Sequence, residues 1–170
     1  MSAAGQKALS GPDQAAVADF QKRIAAYSKL RARVARKLRK LPQKATPEQI
    51  EAHKLAFQKG VIVSRRNARQ GDILTPKAAS AVRTIISTAY VGEDRKRLRE
   101  TVFEAENKSV PVRANLPYPE SSEVLEMPPA LLLALPQLPK ELRWRFVANN
   151  LLLMDGDTLL IVDYMTNALP

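Results

Sequence analysis

A chain of 170 residues, 45% of them apolar, predicts a single folded domain with room for an appendage. The absence of cysteine excludes disulfides, thiolate metal sites and cysteine nucleophiles. Aromatic residues make up only 5% of the chain, so Leu, Val, Ile and Ala must supply most of the core. No apolar run approaches the roughly 20 residues that span a bilayer, so no membrane-spanning helix is predicted.

The charge is distributed unevenly along the chain. Residues 1–70 carry 16 Lys and Arg against 4 Asp and Glu, a net charge of +12, whereas residues 71–170 carry 11 against 13, a net charge of −2. A basic front half joined to a nearly neutral back half predicts attraction to anions, which include nucleic acid, acidic lipid and acidic protein.

Residues 1–11 are small and polar, and we expect a flexible tail, with Ser10 and Asp13 as a capping pair for the helix that follows. Residues 1–15 lack the apolar region of a signal peptide, so none is predicted in this sequence. A processed, mature form carrying an added Met would look the same. The expected location is therefore periplasmic or exported if the chain is a mature form, and cytoplasmic otherwise.

The longest predicted helix covers Pro12–Leu41, which has no internal Gly or Pro. Its apolar residues recur at steps of three and four, as in an amphipathic helix, and Arg31 occupies the position of the next apolar residue. This apolar seam comprises Val17, Phe20, Ile24, Tyr27, Val34, Leu38 and Leu41. We expect Arg31 to lie at the edge of the seam or to face an acidic group. Full exposure of Arg31, Val34 and Leu38 would instead indicate an assembly surface for another chain.

The same helix is dense in cations, which repel one another and destabilise the helix unless they are screened or neutralised. A solvated helix face is one interpretation, and an anion-binding or partner-binding surface is the other. The residues predicted to bind an anion or a partner are Lys22, Arg23, Lys29, Arg33, Arg36, Lys37, Arg39 and Lys40. We refer to these eight residues as the basic set.

Residues 46–49 (Thr-Pro-Glu-Gln) are a start signal for a second helix, with Thr as the N-cap and Pro at the first helical position. We expect this helix to end near Gly71, although Gly60–Val63 also fits a short strand. The short connection makes the two helices antiparallel neighbours, so residues 12–71 are predicted to form a basic helical hairpin. The expected apolar face comprises Ile50, His53, Phe57, Val61 and Ser64 or Ala68.

Residues 72–170 are predicted to form a small α+β domain. Thr75-Pro76 begins a third helix, which ends at Gly92, and residues 93–106 form a fourth. Seven of the twelve prolines lie between Pro111 and Pro139, so this segment is expected to be extended. We expect at most one or two helical turns in this segment, over Pro129–Leu135. The side chains expected to be buried against the core are Leu131, Leu132, Leu133 and Leu135.

Residues 142–166 show the clearest strand pattern and are predicted to form a C-terminal three-stranded antiparallel meander. Apolar residues alternate with Arg143 and Arg145 in the first strand, and Asn149-Asn150 and residues 155–157 (Asp-Gly-Asp) supply turns. The predicted architecture is α+β: a long N-terminal αα-hairpin, two further helices, a Pro-rich extended segment and the meander.

The sequence contains few candidate catalytic or metal-binding residues, so no enzyme, cofactor or metal site is predicted. His53 falls on the apolar face of the second helix and is interpreted as a partly buried packing residue, since no partner for acid–base or metal chemistry is near it in sequence. Asp155, Asp157 and Asp163 suggest a cation site, but turn chemistry alone accounts for the Asp-Gly-Asp sequence. No Gly-rich phosphate loop or nucleophile elbow occurs.

Five segments resemble a set of uncharacterised, generally exported bacterial proteins, over roughly residues 20–170. The segments are Gln70–Pro76 (QGDILTP), Leu116–Pro119 (LPYP), Met127–Pro129 (MPP), Leu138–Val147 (LPKELRWRFV) and Leu160–Asp163 (LIVD). The last 30 residues are similar, more weakly, to the small terminal β-hairpin of periplasmic nickel/cobalt-homeostasis proteins. The similar proteins carry a signal peptide that is not predicted here, so the resemblance implies export only if the chain is a mature form. It brings no established activity and no catalytic residues to this chain.

The sequence therefore predicts a non-enzymatic interaction or structural protein, with the bacterial cell envelope as its setting. We expect the basic hairpin to engage an acidic protein partner or larger assembly, with an anionic membrane surface as another anionic partner. The alternative is a sequence-independent nucleic-acid-binding protein. No small-molecule substrate is expected, and an enzyme would need an unrecognised site around His53 or the aspartates.

Overall fold

The computed structural model describes residues 9–169 and confirms the α+β class, with helices and one antiparallel sheet. The first eight residues of the predicted tail lie outside this range. The helices are α1 (Gly11–Lys37), α2 (Pro47–Ser64), α3 (Pro76–Ala89), α4 (Gly92–Glu104) and α5 (Pro129–Ala134). The strands are β1 (Leu116–Pro117), β2 (Leu142–Val147), β3 (Asn150–Asp155) and β4 (Leu160–Met165). None of the helices in the described range is long and apolar enough to cross a membrane.

The predicted helix starts are confirmed by their caps. The Ser10 hydroxyl accepts a hydrogen bond from the Asp13 N–H at 3.3 Å. Thr46 and Gln49 form a reciprocal capping box at the start of α2. The Thr75 hydroxyl accepts from the backbone of the first turn of α3 in the same way.

Both hairpin helices end earlier than predicted. Helix α1 stops at Lys37, not at Leu41, because the chain becomes extended at Leu38 (φ −78°, ψ 148°). Helix α2 stops at Ser64, not near Gly71, and the Asn115 amide donates to the Ile62 and Arg65 carbonyls at this end. The alternative of a strand at residues 60–63 is wrong, since these residues are helical.

The apolar seam of α1 packs on α3 and α2, and it reaches the sheet through Phe20. Phe20 stacks on Trp144 of β2, with ring centres 5.7 Å apart. Helix α2 packs on α1 as the predicted hairpin requires, although Val61 is its one buried residue. Leu41, predicted to be the last seam residue, is exposed beyond the end of α1. The principal core includes residues from Phe20 to Leu169, so the hairpin and the C-terminal region share it.

Helices α1 and α2 approach each other closely at Gly60. A Cβ atom at this position would lie 2.6 Å from Cγ1 of Val34. Glycine in a helix costs about 1 kcal/mol relative to alanine. Its presence is explained by this helix–helix contact, in which no side chain fits.

The sheet has the strand order β1-β4-β3-β2, and all its pairs are antiparallel. One face packs on the helices through residues such as Trp144 and Leu153, and the other packs on Val110 and Tyr118 through residues such as Leu152. Coverage of both faces explains why β3 is a continuous apolar run instead of an alternating pattern.

Strand β1 was not predicted, so the sheet has four strands where three were expected. Leu116 and Pro117 pair with Ile161 and Leu160 at the edge of the meander. Pro117 is compatible with a strand because an edge strand has one side without a ladder partner. The Pro-rich segment therefore contributes to the sheet.

Two local predictions are corrected. The positive φ at the β2–β3 turn falls on Ala148 (φ 48°), and Asn149 and Asn150 do not adopt it. Leu131 and Leu135 are buried as predicted. Leu132 and Leu133 are 42% and 76% exposed, because α5 buries only one side of its short helix.

Candidate functional site

Arg31 interrupts the apolar seam of α1 because it binds the turn between β3 and β4. Its Nε lies 2.8 Å from Oδ2 of Asp155, and its Nη2 contacts the Asp157 carboxylate. The Arg31 side chain is 15% exposed, and its guanidinium carbon lies 5.0 Å from the ring centre of Phe57. The prediction that Arg31 faces an acidic group is confirmed. Since Val34 is also buried, the condition for an assembly surface along this seam is not met.

Asp155 is a buried carboxylate with several donors. Besides Arg31, it accepts hydrogen bonds from Tyr27 Oη at 2.6 Å and from the backbone N–H groups of Asp157 and Thr158 at 2.9 and 3.1 Å. Burial raises the pKa of Asp155, but hydrogen bonds from Arg31 and Tyr27 outweigh it and hold the pKa below its ordinary value. Burial, followed by the Asp155 charge, raises the pKa of Tyr27 well above its usual range. Neither group is tuned for proton transfer near neutral pH.

Asp163 is the second buried carboxylate. It accepts hydrogen bonds from the backbone N–H groups of Gly71, Ile73 and Leu74 at 2.9, 2.8 and 2.8 Å. Gly71 adopts a φ of 87°, which favours glycine. The segments QGDILTP and LIVD, both part of the resemblance, are therefore in direct contact, and this contact fixes the loop that precedes α3.

Arg65 lies between these two carboxylate sites. Its Nη2 donates to the Val162 carbonyl at 2.9 Å, and its guanidinium carbon lies 5.2 Å from the ring centre of Tyr27. Burial lowers the pKa of Arg65, and the negative charges of Asp163 and Asp72 act against that effect. Its buried Nη1 has no hydrogen-bond partner among the described residues. Sequence analysis did not single out Arg65, because an arginine next to another arginine on a basic helix looks exposed in sequence.

The three aspartates do not share a site. Asp155 closes the β3–β4 turn and Asp163 holds the loop before α3, so the turn interpretation of residues 155–157 is confirmed. Within residues 9–169, no group of three or more His, Asp or Glu is placed to hold a metal ion. His53 is half-buried and lines an open groove of about 690 Å³ beside Asp157 and Glu120.

All eight residues of the basic set are exposed. Within the described part of the chain, Arg23 is the only member with a side-chain ion pair, in which its Nε lies 2.7 Å from Asp19 Oδ2. Arg39 and Lys40 follow the end of α1 and lie in the connection to α2. The fold thus leaves a row of largely unneutralised cations along α1 and its continuation.

Residues 35–60, which we call the hairpin tip, contain no buried residue. They carry seven Lys and Arg against two Glu, a net charge of +5. In this segment Lys54 and Glu51 form an ion pair, with Nζ and Oε1 2.9 Å apart. The tip is therefore largely outside the core, which it contacts near its end through Phe57.

Comparisons of the chain with known proteins give no functional assignment. No protein-family model matches it, and neither a curated protein nor a solved structure matches it significantly. A function is therefore inferred below from the surface geometry and the charge of the protein.

Proposed function

We propose that this protein is a non-enzymatic interaction protein whose basic hairpin binds an acidic protein partner. The observation that carries the proposal is the hairpin tip: 26 consecutive residues (35–60) without a buried residue and with a net charge of +5. Most of this segment contributes little to the core, against which its Phe57 packs. The repulsion between its like charges is relieved when an anionic partner binds.

Two further features support a protein partner. Apolar side chains are exposed among the cations of the tip, with Leu41 at 40%, Ile50 at 38% and Leu55 at 49%. Protein interfaces combine such apolar contacts with a polar rim. The resemblance to exported bacterial proteins favours a partner in the cell envelope.

Nucleic acid is the competing ligand, and the structure offers it few aromatic contacts. Phe57 is the one aromatic residue of the tip, and the guanidinium of Arg31 covers its ring. Single-stranded nucleic acid is usually held by bases stacked on exposed aromatic side chains. Phosphate contacts alone would give binding that weakens steeply with salt.

The test uses two variants of equal net charge. The hairpin variant R33Q/R36Q/K37Q/K40Q removes four exposed cations from the basic set, and the control variant R97Q/K108Q/R113Q/K140Q removes four exposed cations from the C-terminal region. The probe is a fluorescein-labelled deca-glutamate peptide, and its affinity is measured by fluorescence anisotropy at 0.15 M salt.

We expect the hairpin variant to bind the peptide at least about tenfold more weakly than the unmodified protein, since each exposed ion pair contributes about 0.2–1 kcal/mol. The control variant should bind within about twofold of the unmodified protein. Equal losses in both variants would show that net charge alone attracts the peptide, and the proposal would be wrong. Tighter binding of a 20-base-pair DNA duplex than of the peptide at this salt concentration would favour the nucleic-acid alternative.

A further inference from the structure

A groove lined by four arginines runs between α1 and the segment that joins α2 to α3. It has a volume of about 730 Å³, within the range of about 300–1,000 Å³ that is typical of ligand sites. The arginines of this groove are Arg23, Arg33, Arg65 and Arg66. Asp72 is its one acidic lining residue. We call this feature the arginine groove.

Two of the four arginines are held in fixed positions. Arg23 Nη1 donates to the Asp72 carbonyl at 2.8 Å, and its Nε is paired with Asp19. Arg65 is packed over the Tyr27 ring and bonded to the Val162 carbonyl. These contacts hold two guanidinium groups at the groove. Neither group forms an ion pair with the Asp72 carboxylate, the acidic side chain of the described groove lining.

The other two arginines have no such anchor. Arg33 and Arg66 are exposed and, within residues 9–169, form no side-chain ion pair. The Asp72 carboxylate is already engaged, because its Oδ2 accepts a hydrogen bond from the Arg69 N–H at 2.8 Å. Asp19 and Asp72 offset part of the positive charge of the groove, and a net positive charge remains at Arg33 and Arg66.

Part of the groove lining is apolar. Val63 is 68% exposed, and Leu30 and Ile73 also line the groove. Guanidinium groups match the planar geometry of carboxylates with two parallel hydrogen bonds, and aliphatic residues suit the methylene groups of Glu side chains. This combination of groups suits an extended acidic peptide better than it suits a smooth anionic surface.

We infer that the arginine groove is where an acidic segment of the partner protein is seated, and that Arg33 and Arg66 bind its carboxylates. This inference rests on the proposed function and makes it more specific. It moves the centre of binding from the hairpin tip to the base of the hairpin. It also adds Arg66, which the basic set does not contain.

The experiment compares pairs of substitutions with the same loss of charge. R33Q/R66Q removes the two unanchored groove arginines, and K37Q/K40Q removes two exposed cations of the tip. Affinity for the labelled deca-glutamate peptide is measured by anisotropy at 0.15 M salt, with the urea midpoint of each variant as a check on folding. We expect R33Q/R66Q to weaken binding about tenfold and K37Q/K40Q to weaken it less than threefold.

A charge-preserving pair separates a shaped site from a general positive field. R33K/R66K keeps both charges but loses the planar fork, and we expect it to bind the peptide about threefold or more weakly than the unmodified protein. Binding equal to that of the unmodified protein would overturn the inference.

A larger loss in K37Q/K40Q than in R33Q/R66Q would also overturn it, while leaving the proposed function in place, since the tip would then be the contact. By contrast, failure of the fourfold hairpin variant to weaken binding would refute the proposed function itself. Displacement of the peptide by inorganic phosphate at equal concentration would show a phosphate site and would contradict the peptide inference.

Discussion

At the scale of single residues, the structure depends on two buried carboxylates, each of which joins distant parts of the chain. Asp155 connects the β3–β4 turn to Tyr27 and Arg31 of α1. Asp163 connects β4 to the loop that precedes α3. A buried charge is costly unless it is paired and hydrogen-bonded, so each site stabilises only as a complete set of partners.

We predict that D155N destabilises the protein by about 3 kcal/mol, because it leaves Arg31 partly buried without its main counter-charge. The matched control is D157N, which removes the more exposed carboxylate of the same turn and should cost about 1 kcal/mol or less. Urea unfolding at pH 6 measures both. Similar losses for the two variants would mean that the buried pair is not the dominant contact.

The same pair predicts a pH dependence. The folded-state pKa of Asp155 lies below its ordinary value, which is about 3.9 in an unfolded chain. Its contribution to stability is therefore complete above about pH 4 and is lost as the pH falls through the lower, folded-state pKa. The stability difference between the unmodified protein and D155N should be constant from pH 8 to pH 5 and shrink at lower pH. A difference that changes near neutral pH would contradict this assignment.

These residue-scale contacts show which parts of the structure the sequence could reveal. Caps such as Thr46 with Gln49 were predictable because all their atoms lie within one turn of chain. The partners of Asp163 lie about 90 residues away, and no local pattern specifies such a pairing. The one available signal was an Asp inside the apolar run of β4, which indicates a buried and therefore paired acid. For Arg31, the break in the seam was a local signal, and its interpretation was confirmed.

At the scale of elements, the hairpin is held by close backbone approach at one point and by few side chains. Val61 is the buried residue of α2, and Gly60 beside it permits the contact with Val34 of α1. The sequence left a short strand at Gly60 as an alternative, because the crossing of two helices is a tertiary feature that no local pattern specifies. The unpredicted strand β1 has the same origin: two residues are too short for a periodic pattern.

We predict that G60A destabilises the protein by about 1 kcal/mol. Alanine improves helix propensity by about 1 kcal/mol, but its Cβ would lie 2.6 Å from Val34 Cγ1, and overpacking costs about 1–3 kcal/mol. In the background of V34A the obstructing methyl group is absent, so G60A should there be stabilising. Urea unfolding of the four proteins gives this coupling directly. A stabilising effect of G60A in the unmodified protein would show that the helices do not approach as closely as described.

At the scale of the whole molecule, stability and charge are separated in space. The principal core is formed by the seam of α1, by α3 and by one face of the sheet. The basic set and the hairpin tip lie on exposed surface. The distribution of charge along the sequence predicted a basic front half, and helix periodicity predicted that its cations lie on the exposed side of α1. Which part of α1 is anchored on the core and which part extends from it could not be predicted without the positions of α3 and the sheet.

This separation predicts a gradient of local stability that native-state hydrogen exchange can measure. Amides of the first half of α2, residues 50–57, have few buried contacts around them and should exchange through local opening. Amides of β3, which is buried on both faces, should exchange only on global unfolding. We expect the opening free energy of the α2 segment to be several kcal/mol smaller than that of β3. Equal protection of the two segments in the free protein would mean that the tip is part of the cooperative core, and the case for a surface available to a partner would be lost.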